Sequence, residues 1–283
     1  MKICVAGLGI IGGSLCLALK RAGYAVDGYD ISPLPPEYAL NNGIIDGIAK
    51  DFEDYDLVFV AMPYGATVDF ILNTEFKAGA IVSDICGVKK PIEDAVLSES
   101  PDFYYVGCHP MAGKEVSGIG NACADLFDGR SMVITDNAKT DKKALETVMK
   151  LTKDMGFGYI VRCSAEIHDK KIAYTSQLAH VVSNAYVKDE DLEDCLGFTG
   201  GSFQDMTRIA GVDEAVWASL YLANARNITE KISSLISSLE EIKRAIADGN
   251  GEELKKILAV GRKLFDGSKK ISGKNDISVQ KLR

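Results

Sequence analysis

Short apolar runs recur through the first half of the chain: KICVAG, AVDGYD, DLVFVAMP, GAIVSDI, FYYVGCHP and SMVITD. β-Branched and aromatic residues are frequent in them, and glycine, proline or aspartate stands at or near their ends, which predicts strands. Between most of them the apolar spacing changes to three and four residues, as in IIGGSLCLALKRAG, KKPIEDAVLSES and DKKALETVMKLTKDMG, which predicts helices. Strands alternating with helices imply a parallel sheet covered on both faces. GYIVRC reads as the last strand.

After about residue 163 the alternation stops. SAEIHDKKIAYTSQLAHVVSNAYVK and the stretch from Asp213 to Asp248 read as long helical segments with few breakers. In the second, Leu220, Ile228, Ile232, Leu235, Ile236 and Leu239 are mostly three or four apart. The adjacent Leu235 and Ile236 widen the stripe beyond one buried face, so a second covered side is expected. The fold class expected is α/β, with a Rossmann-type doubly wound sheet over 1–162 and an all-helical domain over 163–283. The polar tail GSKKISGKNDISVQKLR is expected to fray or to dock on a partner.

Composition narrows the class of partner. The 283 residues are 47% apolar and 25% charged, as in ordinary globular proteins. A net charge of −8 with no basic block argues against nucleic acid and against an anionic membrane surface. A small anionic ligand remains compatible, since it needs only one or two local cations. The seven cysteines are odd in number and form no CxxC pair, which fits free thiols in a reducing cytoplasm. No metal site is expected. Gly7, Gly9, Gly12 and Gly13 interrupt the apolar N-terminus, so neither a signal peptide nor a membrane span is read there.

GLGIIGGS, between the first strand and the first helix, contains G-x-G-x-x-G at Gly7, Gly9 and Gly12. Gly7 permits a tight turn, Gly9 allows close approach of a pyrophosphate, and Gly12 allows helix and strand to pack. Ile10 and Ile11 open the helix whose free N–H groups would face that anion. Asp30 closes the second run, where a carboxylate accepts ribose hydroxyls and repels a 2′-phosphate, so NAD is favoured over NADP. Pro63, at the end of DLVFVAMP, is a further cofactor candidate. The bland alternative is a glycine-rich turn without ligand and an aspartate capping a turn.

GCHPMAGKEVSG holds one of only three histidines. His109 lies near a strand end, where open α/β sheets bind ligands, and Pro110 and Gly113 would fix the turn that aims it. A neutral imidazole there is suited to take a hydroxyl proton as hydride leaves the same carbon; a structural histidine bonded to backbone is the other reading. In FTGGSFQDMTRIAGVDEAVW, Gly200, Gly201 and Ser202 form a loop, and Asp205 and Arg208 share a helix face. Arg208 is suited to a bidentate carboxylate, or to a surface ion pair of small value. Trp217, the only tryptophan, would by default be core.

HPMAG, GGSFQDMTRIA with its following tryptophan, and DICGVK together resemble the prephenate dehydrogenase family over nearly the whole chain. The resemblance implies a Rossmann domain, a helical domain for dimerisation and substrate, NAD as cofactor, and a homodimer in tyrosine biosynthesis. With the helices near the end of the sequence, neither a fused chorismate mutase nor a regulatory domain is expected. The implied reaction is oxidative decarboxylation of prephenate to 4-hydroxyphenylpyruvate, or of arogenate to tyrosine. By the same resemblance, His109 is the catalytic histidine and Arg208 holds the ring carboxylate. His180, Glu115, Gly201, Trp217 and Gly87 fall on substrate-side positions, Asp205 lies near the arginine, and Gln177 stands where relatives can carry a histidine. His168 matches no functional position and is expected on an exposed helix face. One departure stands out: the family pattern D-x-G-S-V-K has serine where this chain has Gly87, with Cys86 one position earlier. Cys86, a water or a substrate group would have to stand in for it. Two other classes share parts of the pattern: a β-hydroxyacid or imine reductase using Lys170 or Lys171, which leaves HPMAG unexplained, and a non-catalytic NAD-binding sensor.

Overall fold

A computed structural model describes residues 1–114, 116–195, 197–268 and 278–282. The chain forms two compact units. The first comprises Met1–Ile172, Gly211–Ala223 and the C-terminal strand; the second comprises Ala173–Ala210 and the helices that follow Asn224. The pattern change at residue 163 falls one helix before this division.

In the first unit, β1 (Ile3–Ala6), α1 (Ile10–Arg21), β2 (Val26–Tyr29), α2 (Leu34–Asn41) and β3 (Gly47–Ile48) are followed by β4 (Leu57–Val60), α3 (Tyr64–Asn73), β5 (Ile81–Asp84), α4 (Lys90–Ser98) and β6 (Tyr104–Tyr105). The strands pair in parallel in the order β3-β2-β1-β4-β5-β6, the order of dinucleotide-binding sheets. Both faces are buried. Ile3 and Val5 of β1 join Leu57 and Phe59 of β4 in one core, with Leu15 and Leu19 of α1. Cys4 and Ala6 join Val58 and Val60 in the other, with Ile71 of α3 and Ile92 and Val96 of α4. That alternation, covered on both sides, is why the strands read as unbroken apolar runs. Full burial of one such leucine contributes about 1.5–3 kcal/mol.

The run FYYVGCHP is not one strand. β6 pairs with β5 and ends at Tyr105; β7 (Gly107–Pro110) then pairs antiparallel with β8 (Ser131–Thr135). After α5 (Lys142–Asp154), β9 (Tyr159–Cys163) lies parallel to β8. His109 therefore sits in a second, mixed sheet and not in the parallel one, a correction to the single parallel sheet expected. An apolar run shows that both halves are buried but not which neighbour each half pairs with. The expectation that GYIVRC is the last strand is also corrected. Residues 278–281 form β10 (Ser278–Lys281), antiparallel to β9, in the order β10-β9-β8-β7. This stretch does not fray, because it satisfies the open edge of β9 and Leu282 packs against the first core.

The helices after β9 are α6 (Ala165–Ile172), a π turn (Ala173–Gln177), α7 (Leu178–Tyr186), α8 (Gly201–Thr207), α9 (Glu214–Ala223), α10 (Ala225–Ala247) and α11 (Gly251–Ser268). The stretch Asp213–Asp248 breaks at Asn224. Before the break, Leu220 and Ala223 of α9 pack on the second core of the first unit. After it, α10 belongs to the second unit, where the buried Asn224 amide donates to Gln177 Oε1 at 2.7 Å. Among the described residues no helix is long and apolar enough to cross a membrane.

Among the described residues, the Lys89–Asp84 ion pair is wholly buried. The Lys89 ammonium bonds the Asp84 carboxylate, and neither side chain is exposed. The Tyr105 hydroxyl and the Cys86 N–H donate to the same carboxylate, at 2.5 and 2.9 Å. Removing one partner strands the other charge in the core. Lys89→Ala is therefore expected to cost about 3–5 kcal/mol of stability in urea unfolding, and an unchanged midpoint would contradict this.

Candidate active site

The carboxyl ends of β1, β2 and β4 converge on the glycine loop. Gly7 has φ +96°, and a Cβ there would lie 2.4 Å from Ala61 O. A Cβ on Gly12 would lie 1.8 Å from Gly7 O, whereas one on Gly9 would meet nothing within 4 Å. Packing thus excludes a side chain at Gly7 and Gly12, and the loop stays open at Gly9. Gly9 is also the N-cap of α1 and makes no side-chain cap bond, so Ile10 and Ile11 begin a helix whose first amides no side chain caps. Asp30 stands beside the loop: its carboxylate accepts from Leu8 N at 2.8 Å and from Ser32 N at 3.0 Å. Each oxygen keeps a second lone pair for a ligand hydroxyl. Pro63 is exposed and caps α3, directly after the Ala61–Met62 segment that Gly7 packs against. An open anion-facing helix start beside a strand-end carboxylate fits a dinucleotide.

His109 lies on β7, half-buried, with its Nδ1 2.8 Å from His168 Nε2. His168 Nδ1 is in turn 2.7 Å from Asp169 Oδ1. Asp169 also accepts the N–H groups of Lys89 (2.8 Å) and Lys90 (2.9 Å) at the start of α4. His168 is only 2% exposed, which corrects the exposed helix position expected for it. The buried residues of α6 are Ala165, His168, Asp169 and Ile172, one helical stripe. A histidine and an aspartate on an otherwise apolar stripe were the signal in the sequence for this pair.

The chain of bonds fixes proton positions. A carboxylate only accepts, so His168 Nδ1 carries a proton toward Asp169. A neutral His168 then has a lone pair on Nε2, and His109 Nδ1–H donates to it. That leaves the lone pair of His109 on Nε2. Burial first, then repulsion from a second protonated ring at His168 and from the Lys89 ammonium, push the His109 pKa well below the ordinary histidine value. Burial also lowers that of His168, although Asp169 opposes the shift. His109 is thus a neutral base at physiological pH.

Gly87 lies at that free edge. A Cβ on Gly87 would be 3.7 Å from both His109 Nε2 and Cε1, and 3.9 Å from Leu220 of α9. Trp217, one turn before Leu220 on α9, stacks edge-on against Tyr221 at 5.6 Å. Cys86 points elsewhere: its side chain belongs to the second core, and burial pushes its thiol up to about 11.

The second unit gathers the other candidates. Arg208 is exposed and caps α8, which begins at Gly201. One face of α7 holds the backbone around it. His180 Nδ1 donates to Ile209 O (3.0 Å), Ser183 Oγ to Met206 O (2.6 Å) and Asn184 Nδ2 to Ala210 O (3.4 Å). His180 therefore supports the arginine segment through the main chain. Asp205 is exposed on α8. Glu115 lies outside the described residues. The first unit thus unites Gly7, Gly9, Ile10, Ile11, Gly12, Asp30, Pro63, Gly87, His109 and Trp217, and the second unites His180, Gly201 and Arg208.

Residues 15–161 match the family model described as prephenate dehydrogenase, nucleotide-binding domain. Residues 164–260 match that described as prephenate dehydrogenase, dimerization domain. The chain belongs to the prephenate dehydrogenase family. A prephenate dehydrogenase of Bacillus subtilis is 30% identical over 280 residues, 94% of this chain and 75% of the relative. A cyclohexadienyl dehydrogenase of Zymomonas mobilis is 28% identical over 266 residues, 89% of this chain and 90% of the relative. The crystal structure of an A. aeolicus prephenate dehydrogenase with hydroxyphenyl propionate and NAD+ superposes with a TM-score of 0.82 at 30% identity, covering 94% of this chain and 98% of that one.

For this prephenate dehydrogenase family member, the geometry at Gly87 removes backbone strain as the reason for glycine. Its φ lies outside the left-handed region and a Cβ would make only ordinary contacts. Gly87→Ser is expected to fold with stability within about 0.5 kcal/mol of the parent. A larger loss in chemical denaturation would show that the loop has no room for a serine.

Proposed function

We propose that the chain is an NAD-dependent prephenate dehydrogenase that forms 4-hydroxyphenylpyruvate in tyrosine biosynthesis, in the cytoplasm. The observation that carries this reading is the neutral His109, with its Nε2 lone pair at the edge beside Gly87. NAD, when bound along the Gly7–Gly12 loop with its ribose on Asp30, supplies the acceptor for the hydride that leaves the hydroxyl-bearing ring carbon. His109 Nε2 takes the hydroxyl proton as that carbon is oxidised. The ring carboxylate leaves as carbon dioxide, its bonding electrons make the ring aromatic, and His109 returns the proton to the resulting phenolate oxygen. Arg208 holds a substrate carboxylate, with His180 supporting its segment; Gly201 and Trp217 line the substrate side, and Glu115 is assigned there by family resemblance. The NAD+ and hydroxyphenyl propionate named in the A. aeolicus structure support this assignment.

A second reading, arogenate as substrate, is favoured by the cyclohexadienyl dehydrogenase relative. The chemistry at His109 is the same, and only the side-chain amino group differs. NADH formation from prephenate and NAD should be fast, and NADPH formation with NADP slower because Asp30 repels a 2′-phosphate. Faster turnover with arogenate would move the assignment to the second reading, and no turnover with either would remove it. His109→Asn should lower kcat about a hundredfold or more while NAD affinity holds. Near-parental turnover in that variant would take His109 out of the chemistry. Arg208→Ala should raise KM for prephenate by an amount worth about 2–5 kcal/mol, the scale for a carboxylate losing its cation; an unchanged KM would contradict the role of Arg208.

The helical part is proposed to form a homodimer. Ile236, Leu239 and Ile246 of α10 and Leu258, Leu264 and Phe265 of α11 are all more than half exposed in the single chain. Such faces are covered in stable proteins. Light scattering at micromolar concentration should give twice the chain mass, and a monomer would refute the dimer.

A further inference from the structure

Gly87 offers no side chain to orient His109. The structure supplies an orienting group from the opposite side of the ring. His168 reaches His109 Nδ1 at 2.8 Å and is itself held at 2.7 Å by Asp169. Asp169 is immobilised by the main-chain N–H groups of Lys89 and Lys90, at 2.8 and 2.9 Å. The two imidazoles meet edge to face, with ring centroids 5.1 Å apart and planes at 61°.

We propose that His168, anchored by Asp169, is the positioning residue that fixes His109 in its Nδ1–H tautomer and so keeps Nε2 as the proton acceptor. This rests on the reading of His109 as the base. A neutral imidazole has two tautomers, and only one leaves its lone pair on the edge that faces Gly87. In the other, Nε2 carries the hydrogen and cannot take a hydroxyl proton. His168 selects between them because its own Nδ1–H is committed to a carboxylate, which leaves Nε2 with nothing but a lone pair to present. The same contact sets the ring angle. His168 touches neither substrate nor cofactor in this scheme, and no net proton leaves the relay, since the proton His109 takes from the hydroxyl goes back to the phenolate.

Two substitutions separate this role from packing. Glutamine places a side-chain oxygen near the position of a histidine Nε2 and can still accept from His109. Asparagine is shorter, can reach Asp169 and falls short of His109. The chain holds only three histidines, so nitrogen-15 spectra of the imidazoles are simple to assign. In the parent protein, both His109 and His168 should show a protonated Nδ1 and a lone-pair Nε2. His168→Asn should bring up the Nε2–H form of His109 and lower kcat roughly tenfold or more, with KM for prephenate and the dissociation constant of NAD unchanged. His168→Gln should restore the Nδ1–H form and most of kcat. An Nε2–H tautomer of His109 in the parent overturns the proposal, as does equal turnover in the asparagine and glutamine variants. The parent spectrum decides the matter even if both variants misfold. If His109→Asn keeps its turnover while the parent shows the expected tautomers, the relay stands and the reading of His109 as base fails.

Discussion

The site hangs on the Asp169 carboxylate. It accepts three N–H groups from two directions: His168 Nδ1 on its own helix, and the main chain of Lys89 and Lys90 at the start of α4. Hydrogen bonds to a charged group contribute about 1.5–3 kcal/mol each, and a negative charge at a helix N-terminus gains from the helix dipole as well. One buried side chain thereby ties α6 to α4 and, through His168, to the strand that carries His109. The position of the proposed base is set by elements distant in sequence.

Burial makes this arrangement selective for neutral rings. Two adjacent imidazoles in a space shared with the Lys89 ammonium cannot both hold a charge, and burial is the largest cause of both lowered pKa values. Lys89 itself is tolerated only because Asp84, Tyr105 and the main chain surround its partner carboxylate. The ion pair lies on the β5–α4 connection, and Asp169 of the proposed relay meets the same connection through the Lys89 and Lys90 N–H groups.

Much of this was legible in the sequence, for identifiable reasons. The β1 and β4 runs are buried on both faces, so their apolar continuity marks them without ambiguity. The glycine loop is visible because Gly7 and Gly12 sit where no side chain fits. The family resemblance named His109 and Arg208. The split of FYYVGCHP between two sheets was not legible, because pairing partners leave no trace in one strand's composition. Nor was β10, whose residues are polar and which forms only because β9 has an open edge. The burial of His168 was not legible, because apolar periodicity does not mark polar residues on a buried stripe. Its partner His109 lies on a different element, and no local spacing connects them.

Burial holds His109 neutral, and Asp169 through His168 fixes which nitrogen carries its proton. An NMR pH titration of the His109 ring in the ligand-free protein tests this most directly. The expected result is a ring that stays unprotonated down to a midpoint well below the ordinary histidine value of about 6.5, with protonation on further acidification opposed by burial and by His168. A midpoint at or above that ordinary value would contradict it, because an imidazole that protonates so readily is not desolvated.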